Sequence, residues 1–498
     1  MRKGQERQPA EGEALVFRER GGDRRKPPQP LQHPLSRSSY SGWPGPQGYA
    51  HTVTLVPSEI SIMRYTPLKA STYREHRARF RQHMEKGGLA IFHSNDVMPT
   101  SADGTMPFKQ ATDIMYLTGI DQEESILLLF PDAFDPKDRE ILFVRETNEH
   151  IAIWEGAKFT QEQARELSGV ATVLWTSQYE ATVKRLVPQC EILYLNSNEH
   201  LRQGNEVQTR EERKNAEIRE RFPLHPIKRS APIMHRIRAR KTADEVEQMK
   251  RAIAITGKAF RRVCGFLRPG VLEYEIEAEI THEFIRNGSR GHAYTPIIAS
   301  GYNACVLHYI TNDQRCNDGD VILMDFGCEY GGYASDLTRC LPVNGRFTQR
   351  QRAVYDAVLR VKNEATSMLR PGTMLNDYHK EVGKVMETEL IGLGLLDKTD
   401  VAKQDPDRPL YKKYFMHGTS HFLGLDVHDV GLWTEPIAED MVFTVEPGIY
   451  IREENLGIRL ENNILVTRNG PVDLFEDIPV EAEAVETLMA EARKEAVV

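Results

Sequence analysis

Four acidic residues in the C-terminal half lie in or beside apolar segments, where an unpaired carboxylate is costly to bury. Asp325 ends the run VILMD, and Glu446 follows the run MVFTV directly before a Pro-Gly turn. Glu461 lies in LGIRLENNILV and is expected at the centre of one strand, whereas Asp336 follows a Gly-Gly turn in EYGGYASD. Each of these acids alone has an ordinary structural interpretation, such as a cap on the turn that follows the strand.

Taken together, the four acids favour a metal site. The turn between Asp325 and Asp336 predicts a β-hairpin that folds the second carboxylate back towards the first. Two facing carboxylates repel each other, and the pKa of one rises unless a cation lies between them. Four separate ion pairs would be needed to explain the four acids, whereas one dinuclear site explains them together, because hard divalent cations prefer oxygen ligands.

Histidines form the second group of candidates. The segment MHGTSHFLGLDVHDVG contains His417, His421 and His428, and His308 lies in SGYNACVLHY, where it could be a plain strand histidine. Any one of them alone is most simply a structural residue. As a set beside the carboxylates they favour a mixed nitrogen and oxygen site, and the glycines of that segment allow close backbone approach.

The elements that must position these residues divide the chain into three parts. Residues 1–62 are rich in Pro, Gly, Ser and Arg without an apolar period, so we expect either a disordered extension or a start codon assigned upstream of the true start at Met63. In residues 63–232, short apolar strands (GLAIFHS, SILLLF, EILFV, CEILYLN) alternate with helical stretches such as 71–86, which is typical of an α/β domain. A stretch with the composition of a linker, 222–241, leads into residues 233–498.

Residues 233–498 begin with a strong helix signal, in which Thr242 precedes Asp244 and Glu245 as an N-cap. After about residue 287 strands and turns predominate, with one further helix predicted over 349–369. This pattern indicates an α+β domain.

Composition excludes several classes of function. Of 498 residues, 40% are hydrophobic and 27% are charged, which is the balance of an ordinary globular chain. A net charge of −8 gives no reason to expect a nucleic-acid partner, and no run approaches the roughly 20 apolar residues that span a membrane. The 6 cysteines form no CxxC pair, and residues 1–62 do not resemble a secretory or mitochondrial signal, so we expect free thiols and a cytoplasmic location.

Across residues 65–490 the chain resembles the Xaa-Pro aminopeptidase (aminopeptidase P) family of pita-bread metallopeptidases. The blocks that carry the resemblance occur in the family's order: GHAYTPIIASGYNACVLHY, MDFGCEYGGYASDLTRCLPVNGRFT, HGTSHFLGLDVHDVG, TVEPGIYI and GIRLENNILVT. The N-terminal block MPFKQATDIMYLTGIDQEESIL is similar but less specific, with Lys109 where an arginine is common. The implied fold is an α/β domain followed by an α+β pita-bread catalytic domain.

The resemblance implies two divalent ions with both Asp336 and Glu461 as bridges. Manganese is favoured because oxygen ligands dominate, although zinc and cobalt also suit such a site. The implied metal ligands are Asp325, Asp336, His421, Glu446 and Glu461.

The resemblance also implies roles outside the ligand set. His308 and His428 match histidines that contact the substrate and the reaction intermediate, and His417 matches one that lines the proline pocket. Arg459 matches the family's active-site arginine. Trp154, in the segment IWEG, resembles a tryptophan that reaches a substrate pocket, often in a neighbouring subunit, so we expect a dimer or tetramer.

The predicted reaction removes the first residue from peptides whose second residue is proline. Two close divalent ions share a bridging water and lower its pKa, so that hydroxide is available near neutral pH. Glu446 is the candidate general base and proton carrier, while His428 and His308 hydrogen-bond the scissile carbonyl or the tetrahedral intermediate. A proline has no N–H and a fixed φ, so a shaped pocket can prefer it.

Other functions are compatible with parts of this pattern. A prolidase cuts Xaa-Pro dipeptides on the same scaffold and is the nearest rival. A methionine aminopeptidase would not need the N-terminal domain. A pita-bread protein that only binds, or a creatinase-like hydrolase without metal, would not need the intact set of five ligand-type residues.

Removal of residues 1–62 should leave the activity and the melting temperature nearly unchanged, because these residues lack a core-forming pattern. The measurement compares the full chain with a chain that begins at Met63, by thermal unfolding and by peptide turnover. A large loss of stability on truncation would contradict the expectation.

Overall fold

The computed structural model describes residues 64–204 and 206–495, so the expected extension at 1–62 lies outside the described residues. None of the described helices combines the length and the apolar composition that a membrane span requires. The helices of the first part of the chain are α1 (Ala70–Gln82), α2 (Thr112–Thr118), α3 (Glu149–Glu155), α4 (Gln161–Ser168), α5 (Tyr179–Leu186) and α6 (Arg210–Arg221).

The first part of the chain is built on a six-stranded mixed sheet with the strand order β4-β3-β2-β1-β5-β6. All four predicted apolar segments form strands of this sheet, and their side chains are buried on both faces because helices cover each side. The strands are β1 (Gly88–His93), β2 (Ile126–Leu129), β3 (Glu140–Val144), β4 (Thr172–Trp175), β5 (Ile192–Leu195) and β6 (Ile227–Arg229).

The prediction of a linker at 222–241 is wrong. Strand β6 lies in this stretch and pairs in parallel with β5, and the helix α7 (Ala231–Ala239) follows it directly. Pro232 occupies the first turn of α7, where a missing N–H costs nothing. The prolines that resemble linker composition therefore begin a helix, and the proposed domain boundary at residue 232 falls within its first turn.

The second part of the chain combines long helices with short antiparallel sheets. The predicted N-cap is confirmed: the Thr242 hydroxyl accepts from the Glu245 N–H, and Glu245 accepts from the Thr242 N–H. The predicted helix at 349–369 is present, but three further helices after residue 287 were not predicted: α11 (Leu375–Gly392), α12 (Lys398–Val401) and α13 (Ala482–Glu495). The helices are α8 (Ala243–Phe266), α9 (Glu273–Arg286), α10 (Gln349–Met368), α11 (Leu375–Gly392), α12 (Lys398–Val401) and α13 (Ala482–Glu495).

Antiparallel pairing joins the segments that carry the predicted ligands. Strands β8, β9 and β12 form one sheet, β13, β16 and β17 another, and β14 and β15 a hairpin. The strands are β7 (Gly291–His292), β8 (Ile297–Ser300), β9 (Val321–Phe326), β10 (Cys328–Tyr330), β11 (Tyr333–Ala334), β12 (Leu337–Pro342), β13 (Val442–Val445), β14 (Gly448–Ile451), β15 (Leu456–Arg459), β16 (Asn462–Thr467) and β17 (Gly470–Asp473).

A buried ion network joins the two parts of the chain. Arg238, on α7, is buried and donates to Asp113 on α2 at 2.8 Å, to Asp426 at 2.8 Å and to Asp429 at 2.5 Å. Lys241 also donates to Asp429, at 3.0 Å. Burial alone would raise the pKa of Asp429, but the two cations hold it below its usual range. The network ties the first domain to the segment that carries His428.

Arg238→Met should lower the free energy of unfolding by about 3 kcal/mol, because it leaves the buried Asp429 with only one of its two cations and takes the cation from Asp113 and Asp426. Arg236→Met is the matched control on the same helix, since the Arg236–Glu435 pair is exposed and should contribute less than about 1 kcal/mol. Urea denaturation of both variants measures the difference. Equal losses would show that the buried network is not the stronger contact.

Candidate metal centre

Strand ends deliver the four predicted acidic ligands to one place. Asp325 is the penultimate residue of β9, and Asp336 lies between β11 and β12. The predicted hairpin is present, because β12 pairs with β9 so that Thr338 lies opposite Asp325. Gly327 makes this approach possible: a Cβ there would lie 1.8 Å from the Ser335 carbonyl oxygen.

The other two acids lie at strand ends where the chain passes from one sheet to another. Glu446 follows β13 directly, as predicted. The prediction that Glu461 lies at the centre of one strand is wrong, because the chain breaks there between β15 and β16. The Glu461 N–H donates to the Thr338 carbonyl of β12, at 3.1 Å. This crossing from one sheet to another turns the side chain towards β9 and β12.

The side chains of three predicted ligands converge closely. One ligand atom each of Asp336, His421 and Glu461 lies within 4.8 Å of the others, and all three residues are buried. His421 Nε2 lies 3.5 Å from Asp336 and 3.7 Å from Glu446. Its Nδ1 lies 2.9 Å from the Phe422 carbonyl, which selects the tautomer with Nδ1–H as donor and leaves the Nε2 lone pair facing the carboxylates.

Burial and mutual repulsion shift the titration of the cluster. Burial raises the pKa of Glu446 to about 7, with further contributions from Asp336 and Asp325. The pKa of Glu461 is raised well above its usual range by burial and by the neighbouring carboxylates, and the pKa of Asp336 is raised by burial as well. A bound cation would relieve this repulsion. The donor set of carboxylate oxygens and one imidazole nitrogen therefore fits hard divalent ions.

Tyr294 was not predicted as a site residue, yet its hydroxyl lies 2.5 Å from an oxygen of Asp325 and 2.5 Å from one of Asp336. A phenol carries one proton, so it can donate to only one of the two carboxylates at a time. The block GHAYTP contains this tyrosine, but no spacing in the sequence distinguishes it from a core residue. Its contact with two acids shows how closely the carboxylates approach each other.

Arg459 contacts one of the acids directly, and a tyrosine hydroxyl joins it to His417. Arg459 is buried, donates to Asp325 at 2.7 Å and donates to the Tyr450 hydroxyl at 2.9 Å. The same hydroxyl lies 2.8 Å from His417 Nε2. Burial and the nearby Arg459 lower the pKa of His417 to about 3, so this imidazole is neutral. Tyr450 is a second residue that sequence reasoning missed.

A cavity of about 320 Å³ contains the predicted site. Arg202, contributed by the first domain and not predicted, lines it and lies 2.9 Å from His428 Nε2. Burial, together with His421 and Arg202, lowers the pKa of His428 to about 2. The predicted residues that line the cavity are Asp325, Asp336, His421, Glu446, Glu461, His308, His417, His428 and Arg459.

Two predicted residues are placed differently from the simplest expectation. His308 lies in a turn after a 3-10 helix, so the strand alternative for it is wrong. Trp154, at the surface of α3, is 77% exposed and is not among the described residues that line the cavity. The expected contact of Trp154 with a neighbouring subunit stays a prediction.

Comparison with known proteins agrees with this architecture. The chain matches the model of metallopeptidase family M24 over residues 247–468 and the model of the aminopeptidase P N-terminal domain over residues 73–194. It is 35% identical to the Xaa-Pro aminopeptidase of Escherichia coli K12 over 429 residues, which is 83% of this chain and 96% of that protein. The corresponding protein of Haemophilus influenzae is 33% identical over 443 residues, which is 86% of this chain and 99% of that one.

A solved structure shows the same fold. The low-pH form of E. coli aminopeptidase P superimposes with a TM-score of 0.78 at 33% identity, covering 86% of this chain and 100% of that chain. The fold and the site thus define a pita-bread metalloexopeptidase with an α/β domain before an α+β catalytic domain, which confirms the predicted fold class. The chain belongs to the Xaa-Pro aminopeptidase (aminopeptidase P) family.

The melting temperature of the metal-free protein should fall as the pH rises from about 5 to about 8. The pKa of Glu446 is raised from 4.5 to about 7 in the folded state, and Asp336 and Glu446 raise the pKa of His421 against the opposing effect of burial. Both groups hold protons more tightly when folded, so stability is lost as they deprotonate.

Added Mn²⁺ should therefore raise the melting temperature more at about pH 8 than at about pH 5.5, because the metal replaces the missing protons. Thermal unfolding of chelator-treated protein, with and without Mn²⁺, makes the comparison. A metal effect of equal size at both pH values would contradict the electrostatic account.

Proposed function

We propose that this chain releases the N-terminal residue from peptides with proline in the second position, using two divalent ions. The proposed ligands are Asp325, Asp336, His421, Glu446 and Glu461, with Asp336 and Glu461 as bridges and Mn²⁺ as the favoured ion. The observation that carries the proposal is the convergence of all five side chains on one cavity in a chain of this family. When bound, the two ions supply Lewis acidity and lower the pKa of a shared water.

The protein groups around the ligands have complementary roles. A carboxyl group with a pKa raised to about 7 can accept and return a proton near neutral pH, which suits Glu446 as general base and proton carrier. His428 is neutral and lines the cavity with His308, so both can donate a hydrogen bond to the scissile carbonyl as negative charge develops. The Arg459–Tyr450–His417 chain holds the wall that we assign to the proline ring.

The same cavity supports a second candidate, an Xaa-Pro dipeptidase. Arg202 is a cation at the cavity wall and could bind the free carboxylate of a dipeptide. Against this, a second cavity of about 530 Å³ shares Arg202, Val427 and His428 with the first and extends between the two domains. This second cavity gives room for a chain beyond the proline, which favours the aminopeptidase.

Peptide length decides between the two activities. With Mn²⁺ present, we expect release of the first residue from an Xaa-Pro-Xaa tripeptide and from an Xaa-Pro pentapeptide. An otherwise identical pentapeptide with alanine in place of proline should be cleaved much more slowly, because it lacks the rigid ring. Cleavage of an Xaa-Pro dipeptide alone, at equal concentration, would make the chain a prolidase.

We also propose that the active protein is a dimer or tetramer, in which Trp154 contributes to the pocket of a neighbouring subunit. The support is the exposure of Trp154 on α3 and the resemblance of its segment to the family's tryptophan. Light scattering with parallel activity measurement tests this, and a fully active monomer would overturn it. A cytoplasmic location is proposed because all six cysteines are buried free thiols.

A further inference from the structure

Glu273, the first residue of α9, is 0% exposed and its carboxylate accepts hydrogen bonds from a single segment, residues 300–314. Oε1 accepts from the Ser300 N–H at 2.8 Å and from the Asn303 side chain at 3.5 Å. Oε2 accepts from the Tyr309 hydroxyl at 2.7 Å and from the Gln314 N–H at 2.9 Å. One buried carboxylate therefore binds both ends of the segment and a residue near its middle.

The segment 300–314 forms one wall of the metal cavity. It begins at the last residue of β8 and continues through a 3-10 helix, Gly301–Cys305. Leu307, His308 and Ile310 line the cavity from this segment. Tyr309, which donates to Glu273, directly follows His308 in the chain.

The position of His308 depends on the backbone that carries it. Among the described residues no side chain or backbone group makes a hydrogen bond with the His308 ring, and His308 is exposed towards the cavity. A second anchor, Asn312, holds the later half of the segment through the Pro296 carbonyl and Glu277. Glu273 is the contact that joins both ends of the segment to the residue beside His308.

We propose that Glu273 is a positioning residue for His308, which it holds at the cavity wall by fixing the segment 300–314. The inference rests on the proposed function, in which His308 contacts the substrate carbonyl or the reaction intermediate. A displacement of about 1 Å in such a group can cost about a hundredfold in rate. Glu273 itself does not line the described cavity, and its hydrogen bonds go to Ser300, Asn303, Tyr309 and Gln314, none of which is a proposed metal ligand.

Glu273→Gln tests the proposal with almost no change in volume. The amide has one acceptor oxygen and an NH₂ group that only donates. Whichever way the amide is turned, its NH₂ group faces a backbone N–H, either of Ser300 or of Gln314, and that hydrogen bond is lost. We expect kcat on an Xaa-Pro tripeptide to fall by about tenfold or more, with the metal content unchanged. The matched control is Glu279→Gln on the same helix, which only removes a surface pair with Arg262 and should keep wild-type turnover.

A double-mutant cycle with His308→Ala separates positioning from general stability. If Glu273 acts through His308, then Glu273→Gln should lower kcat strongly in the wild-type background and very little in the His308→Ala background. If Glu273→Gln lowers kcat by the same factor with and without His308→Ala, the inference is wrong, while the role of His308 stays intact. A His308→Ala variant with wild-type kcat would instead refute that part of the proposed function, and the inference with it.

Tyr309→Phe provides a milder variant if Glu273→Gln does not fold. It removes only the hydroxyl that donates to Glu273 and keeps the aromatic ring in place. We expect a smaller fall in kcat that is again absent in the His308→Ala background. Wild-type kcat for Tyr309→Phe, together with multiplying losses for any Glu273 variant that folds, would overturn the proposal.

Discussion

Repulsion between the carboxylates of one cavity is the constraint on which the rest of the catalytic domain depends. Asp336 and Glu461 are buried, Asp325 and Glu446 are half-buried, and one tyrosine hydroxyl lies 2.5 Å from two of these acids. Without a cation, burial and the neighbouring carboxylates raise the pKa of Glu446 to about 7, which favours retention of a proton. With divalent ions the same arrangement becomes favourable, so metal binding and local stability are linked.

Each of the four acids lies at or beside the end of a different strand, so the strands fix the positions of carboxylates that repel one another. At Glu461 the chain leaves one sheet and its N–H donates to the Thr338 carbonyl of β12, which turns the Glu461 carboxylate towards β9 and β12. At Gly327 the absence of a side chain lets the Ser335 carbonyl approach closely, which brings Asp336 near Asp325. The surrounding hydrogen bonds then fix each carboxylate: Arg459 donates to Asp325, and the Thr338 hydroxyl donates to Glu461 at 2.6 Å. Segments from outside these sheets, such as the one anchored by Arg238 and Asp429, contribute the histidines.

Much of this site could be predicted from the sequence because four carboxylates in or beside apolar segments are costly to bury separately, whereas one metal site explains them together. The four acids, the hairpin between Asp325 and Asp336, and the N-cap at Thr242 all follow from local patterns. Arg202 could not be predicted, because it comes from another domain and no local signal connects it to His428. Tyr294 could not be predicted as a site residue either, since no local pattern distinguishes it from a core tyrosine.

The errors in the prediction have physical causes of the same kind. The prolines of 222–241 resemble a linker, but parallel pairing with β5 and the first turn of α7 accommodate them. The break at Glu461 depends on a hydrogen bond to a strand more than a hundred residues earlier in the chain. Helix α11 was missed although its buried residues repeat at helical spacing, with Leu375, Tyr378, Val382, Met386 and Leu390 on one face.

The most direct test of the account is the Asp336→Ala variant, measured for metal content and for peptide turnover in the same preparation. Asp336 lies 3.5 Å from His421 Nε2, and its ligand oxygen lies within 4.8 Å of ligand atoms of His421 and Glu461. If two ions share this carboxylate, the folded variant loses bound metal and activity together. Near-normal turnover with the full metal content would contradict the two-metal site.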